Sequence, residues 1–235
     1  MSVYLMLLQY DGTRYNGWQR QGNTSNTIQE KLESLLSRIF SEPVEIAGSG
    51  RTDAGVHAEG QTASFHISAK KDRYSCGELC DLCNRYLPED IRVLSVSQVP
   101  DRFHARLLAR SKVYEYRIDN GRTANVFTRR YRYHVSDPLD ADAMQNAAAA
   151  LIGTMDFKSF CDNRHMKKST VRTITSVDII KEGSDLTIRF QGNGFLYHMV
   201  RLISQILIEI GLHRRPVSDM ERILQGRDRS LASYP

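Results

Sequence analysis

Apolar and polar positions alternate between two periods along the chain, and the switches between them mark the elements. Val3 to Tyr10 is apolar on both faces over a short run, which predicts a strand at the centre of a sheet. Asp11-Gly12 opens a polar loop reaching Asn26. Ile28, Leu32, Leu35, Leu36, Ile39 and Phe40 then recur at helical spacing behind Thr27 and Glu30, a candidate capping box, and Pro43 lies just past the end. Strands are predicted at Val44 to Ala47, Gln61 to Ile67 and Ile91 to Val99, with a helix between the last two that Pro88 stops.

Past a seam near Leu107 to Ser111 the mixture repeats. Lys112 to Ile118 alternates, with Tyr114, Tyr116 and Ile118 on one face. Asp140 to Leu151 is an alanine-rich helix, and Arg172 to Ile180 and Leu186 to Phe190 are strands. Leu196 to Leu212 is a long helix, and Ser218 to Gln225 a short one with Ser218 and Glu221 as a capping box. Strands neighbour strands too often for a doubly wound sheet, so the pattern predicts an α+β architecture of two lobes, 1–108 and 109–235.

Composition narrows the class. The chain has 235 residues, 41% hydrophobic and 25% charged, enough apolar content for a sizeable core. No apolar run approaches the ~18 residues of a membrane span, and the start lacks the basic flank of a secretory signal. These features predict a cytoplasmic protein. Lys plus Arg outnumber Asp plus Glu by 32 − 27 = 5, and 24 of the 32 are Arg. A planar guanidinium suits phosphate and stacks on bases, so the balance leans toward nucleic acid; ordinary solvated surface accounts for it equally well.

Candidate chemistry is sparse. Phosphate-cradling, dinucleotide and zinc motifs are absent, which argues against kinases, dehydrogenases and metallohydrolases. Cys76, Cys80 and Cys83 form a C-x3-C-x2-C spacing like that of iron–sulfur radical enzymes. Yet with Leu79 and Leu87 they recur at i, i+3, i+4, i+7 and i+11, the stripe of a buried helix face. Cys161 stands apart, and no disulfide is expected in a reducing compartment. The stretch from Gly48 to Gly60 holds four glycines in thirteen residues and carries Arg51, Asp53 and His57 on a tight loop between strands. The long helix is apolar nearly all round, yet His198, Arg201, Gln205 and Glu209 line up along it. Arg201 either pairs with Glu209 or Gln205 at the rim or meets a carboxylate from elsewhere, with Asp53 the candidate. Such a pair near 4 Å gains about 4 kcal/mol at an effective dielectric of ~20, before desolvation. Tyr114 and Tyr116, with Arg106, Arg110 and Lys112 nearby, suit base stacking or simple sheet packing.

The stretch Gly50 to Ala58, G-R-T-D-A-G-V-H-A, resembles the TruA family of tRNA pseudouridine synthases. Other stretches agree in order. They are Tyr10 to Thr13 with Gly17 to Gln21, Thr27 to Leu32, Leu87 to Ile91, Phe103 to Arg106, Tyr114 to Arg117, Phe157 to Phe160 and Phe195 to Arg201. The resemblance covers nearly the whole chain. It implies a pseudouridine synthase fold, two related α+β lobes sharing a central, mostly antiparallel sheet with a basic cleft between them. It implies isomerisation of uridine to pseudouridine at anticodon-arm positions 38, 39 and 40 of tRNA, a homodimer, and no cofactor or metal.

Residue by residue, Asp53 matches the family's essential aspartate, acting at the sugar C1′, at the base C6 or in deprotonating the sugar. Arg201 matches the basic partner of that aspartate, Tyr114 the tyrosine stacking on the flipped uracil, and Arg51 the arginine near the vacated base position. Two departures stand out. Ser204-Gln205-Ile206 replaces a Gly-Thr-Leu-like turn, and the family usually adds a strand beyond a stretch like Leu231 to Pro235. A non-catalytic tRNA-binding relative, a synthase acting on other RNA uridines and the iron–sulfur enzyme are the competing readings.

Overall fold

The structure, a computed structural model, describes residues 2–163 and 166–232. Of the stretch from Leu231 to Pro235, the last three residues therefore lie outside the described ones. The chain divides into two compact units, Met1–Ala109 and Arg110–Pro235.

In the first unit, β1 (Ser2–Tyr10) is flanked by β3 (Ala58–Ile67) and β4 (Ile91–Val99). The short β2 (Ile46–Gly48) lies beyond β3, giving the order β2-β3-β1-β4 with every pair antiparallel. The alternation of β1 sends Tyr4, Met6, Leu8 and Tyr10 into one core. They pack there with Ile28, Leu32, Leu36 and Phe40 of α1 (Ile28–Phe40) and Leu79 and Cys83 of α2 (Cys76–Tyr86). Thr27 caps α1 by accepting from the Glu30 N–H, while the Glu30 carboxylate faces Arg20 at 3.6 Å. The complete capping box belongs to α2. There the Ser75 hydroxyl accepts from the Glu78 N–H and the Glu78 carboxylate accepts from the Ser75 N–H at 2.8 Å.

The second unit is built on β5 (Lys112–Asp119), β6 (Tyr133–His134), β7 (Gly153–Asp156), β8 (Val171–Glu182) and β9 (Asp185–Gly192), in the order β6-β5-β9-β8-β7. Only the two-residue β5–β6 pairing is parallel among the described strands. Ile118, Ile174, Val177, Ile188 and Phe190 meet α3 (Ala141–Ala148), α4 (Met199–Gly211) and α5 (Asp219–Gly226) in a second core. The expected α+β class and mostly antiparallel pairing are therefore found, with one sheet in each unit.

Two helix ends differ from the pattern. The apolar run from Leu196 predicts three residues too many, because His198 is left-handed (φ 59°) and α4 starts after it. The expected Ser218–Glu221 capping box is not made. Ser218 is itself in the right-handed helical region and its hydroxyl caps nothing, while Asp219 takes Arg222 at 2.8 Å and Arg215 at 3.2 Å. Among the described residues no helix is long and apolar enough to cross a membrane.

Candidate active site

Asp53 sits on the connection between β2 and β3, and the opening loop after β1 holds that connection in place. The Trp18 N–H donates to the Thr52 carbonyl at 3.0 Å, and the Gly55 N–H donates to the Tyr15 carbonyl at 3.2 Å. The Val56 N–H closes a turn onto the Asp53 carbonyl at 3.1 Å. The Gly12 N–H donates to His57 Nδ1 at 3.1 Å, and His57 lies 3.0 Å from the Asp11 carboxylate. Behind the loop, the Tyr10 hydroxyl meets the Thr52 hydroxyl at 2.9 Å, and the Gln61 amide donates to the Gly50 carbonyl at 2.6 Å. Trp18, the single tryptophan, is buried with Tyr10 and Tyr15. The two backbones approach so closely that side chains are excluded. A Cβ on Gly12 would fall 2.0 Å from the Val56 carbonyl oxygen. One on Gly17, which also has φ +91°, would fall 2.6 Å from that of Thr52. The loop is thereby fixed at both ends while Arg51 is exposed and Asp53 half-buried.

The role of the opening loop was not readable from periodicity. Its signals are Gly12, Gly17 and Trp18 set in an otherwise polar stretch, which mark close backbone approach and a buried anchor.

In the second unit, Tyr114 projects from β5 on the face it shares with Tyr116. Its ring meets Phe195 edge-on, with centroids 5.1 Å apart at 75°. The contact fixes the tyrosine while leaving it partly accessible. Burial pushes the Tyr116 phenol above its ordinary range; Tyr133 adds to the shift and the Arg201 charge opposes it. On the opposite face of β5, Glu115 binds both Arg117 (2.6 Å) and Arg189 (2.8 Å). These bonds hold its carboxyl below the usual range despite the opposing effect of burial.

Arg201 is exposed near the start of α4, whereas Glu209 is buried at the far end. The Glu209 carboxylate accepts from Gln205 at 3.2 Å and pairs with Arg215. Ser204, one of the departures from the family pattern, is fully buried on the same helix. Its hydroxyl has no hydrogen-bond partner among the described residues.

The cysteine stripe is a packing face. Cys83 is fully buried, and Cys76 and Cys80 are half-buried at its edge. Burial pushes the Cys83 thiol up to about 12 and raises that of Cys80 as well. Burial thus favours the neutral thiols of a packing face. Among the described residues no group of three His, Cys, Asp or Glu is placed to hold a metal ion.

Comparison with known proteins places these residues in a family context. A family model described as tRNA pseudouridine synthase matches residues 6–106 and 147–235. Arg51 and Asp53 fall in the first span and Arg201 in the second, with Tyr114 between them. The chain is 44% identical over 234 residues to "tRNA pseudouridine synthase A" of Bacillus sp. (strain KSM-64), covering 100% of this chain and 95% of that protein. It is 44% identical over 230 residues to "tRNA pseudouridine synthase A 2" of Clostridium tetani (strain Massachusetts / E88), covering 96% and 90%. Identity to "tRNA pseudouridine synthase A 1" of the same organism is 42% over 228 residues, covering 97% and 92%.

Proposed function

The chain belongs to the tRNA pseudouridine synthase family, and from that membership we propose that it isomerises uridine to pseudouridine in tRNA, at anticodon-arm positions 38, 39 and 40. The observation that carries the reading at residue level is the Asp53 loop. A half-exposed carboxylate stands on a segment whose backbone is held by the opening loop, as a group reacting at a fixed geometry requires. The reaction breaks the C1′–N1 bond, turns the base and forms a C1′–C5 bond. The C5 proton leaves and N1 ends protonated, so substrate and product have the same atoms and no oxidant or co-reactant takes part.

Asp53 is the reacting carboxylate, whether at C1′, at C6 or on the sugar proton. Arg201 pairs with Asp53 and orients it, Tyr114 stacks on the flipped uracil, and Arg51 stands near the space the base vacates. Flipping costs a few kcal/mol, which stacking and phosphate contacts offset. The enzyme acts in the cytoplasm as a homodimer, one tRNA touching both subunits. Intact Asp53, Tyr114 and Arg201 argue against a non-catalytic tRNA binder. Asp53→Ala is expected to abolish tritium release from 5-tritiated uridine in tRNA while tRNA binding persists; turnover retained in that variant defeats the assignment.

A further inference from the structure

The segment between β5 and β6 falls in residues 107–146, which the family match leaves between its two spans. From Asn120 to His134 it carries Arg122, Arg129, Arg130 and Arg132 and not one acidic residue. It is nevertheless a built loop. The buried Asp119 carboxylate accepts from the Gly121 and Asn125 N–H groups at 3.1 and 2.9 Å. The Asn120 amide donates to the Val135 and Asp137 carbonyls, and Arg132 pairs with Asp185 at 3.1 Å. The anchoring is thus done at the base of the loop. The tip turns outward an apolar and basic surface, with Phe127 87% and Val126 59% exposed and Arg122 and Arg129 exposed beside them. Val126 and Phe127 are neighbours, so the tip is a small apolar patch rimmed by arginines, the make-up of an interaction site.

The geometry points to this loop as a second RNA contact, in which Phe127 stacks on an unpaired base and Arg122 and Arg129 neutralise flanking phosphates. The inference rests on the tRNA reading above and adds to it where on the second unit the RNA runs. Charge selects the occupant. The segment from Asn120 to His134 is basic with no acidic residue of its own to balance it, a surface that a polyanion complements. Position agrees. Tyr133, at the end of the loop and half exposed, lies 6.2 Å from Tyr116, which shares its β5 face with Tyr114. A strand whose uridine reached Tyr114 would therefore have the base of the loop close by.

The test uses the full chain and an unmodified tRNA transcript. Arg122→Gln with Arg129→Gln is expected to make the slope of log K against log salt shallower by about 1.4 to 1.8. Phe127→Ala is expected to raise Kd about fivefold or more, with KM rising in step and kcat kept at saturating tRNA. Both substitutions lie on exposed side chains, so an unchanged melting temperature is expected and verifies folding. An unchanged slope together with an unchanged Kd overturns the inference. So does a Phe127→Ala protein that binds tRNA normally but loses mass by light scattering, because the loop would then be a self-contact. A wild-type chain that fails to bind the transcript defeats the parent reading, and this inference with it.

Discussion

The two units hold their candidate residues by different means. In the first, Arg51 and Asp53 sit on a loop, and precision comes from a second loop whose carbonyls, amides and glycines press against it. In the second, Tyr114 and Arg201 sit on a strand and a helix, where the backbone ladder already fixes each Cα. What needs anchoring there is the helix itself. Its far end is anchored by a buried ionic cluster in which Glu209 meets Arg215, and Arg215 also meets Asp219. A loop site therefore depends on steric fit and neutral hydrogen bonds, and a helix site on a charge network remote from the chemistry. Each dependence is open to a separate test.

The largest effect is expected at the charge network. Glu209→Ala removes a buried carboxylate from the Arg215 guanidinium, which is only 14% exposed and also meets Asp219. Breaking a buried pair from one side costs about 3–5 kcal/mol, which in a chain of this size lowers Tm by roughly 10 °C. Replacing both partners with Met is expected to recover much of the loss, since no charge is then stranded. Thermal unfolding of the single and double variants decides it, and equal losses in both would refute the charge-network account.

Next comes the loop. Gly12→Ala places a methyl group 2.0 Å from the Val56 carbonyl oxygen, where only backbone can yield. Overpacking of this kind costs about 3 kcal/mol, and the displacement passes directly to the turn that carries Asp53. The expected signature is a moderate fall in Tm with a disproportionate loss of activity, about a hundredfold or more for a shift near 1 Å. Glu209→Ala, by contrast, is expected to spare kcat below its melting temperature. If Gly12→Ala lost stability and activity only in proportion, the loop would be no more exacting than the helix.

The same contrast explains what the sequence pattern reveals. The long strands and amphipathic helices follow from periodicity because one face of each is buried by its own unit, as Tyr4, Met6 and Leu8 show in β1. The Asp53 loop is visible through its glycines and motif. The contacts that hold it are not, because Gly12 to His57 or Trp18 to Thr52 joins residues tens of positions apart with no periodic trace. Capping shows the limit of local signals. Ser75–Glu78 and Ser218–Glu221 carry the same S-x-x-E spacing, yet only the first forms a box, because the Ser218 backbone is already helical. The short β6 and β7 are too brief for alternation to register, whereas β2 overlaps the strand expected at Val44 to Ala47.

The smallest effects concern two buried hydroxyls of opposite standing. In the first unit the Tyr10 hydroxyl meets Thr52, one residue before Asp53, so Tyr10→Phe removes one partner and strands the other. A loss of about 1 kcal/mol is expected, with a modest fall in kcat because the loop is loosened beside the reacting carboxylate. In the second unit the Ser204 hydroxyl is enclosed on α4 without a hydrogen-bond partner among the described residues. Ser204→Ala therefore removes an unsatisfied polar group and also improves helix propensity, which predicts a gain of about 0.5–1 kcal/mol with unchanged activity. Urea titration of both variants at one protein concentration resolves shifts of this size. Opposite signs would mean that polar satisfaction is concentrated at the loop site while the helix site tolerates a defect. A destabilised Ser204→Ala protein would instead show that the hydroxyl finds a partner in solution, and that the two units are equally strict about their buried polar groups.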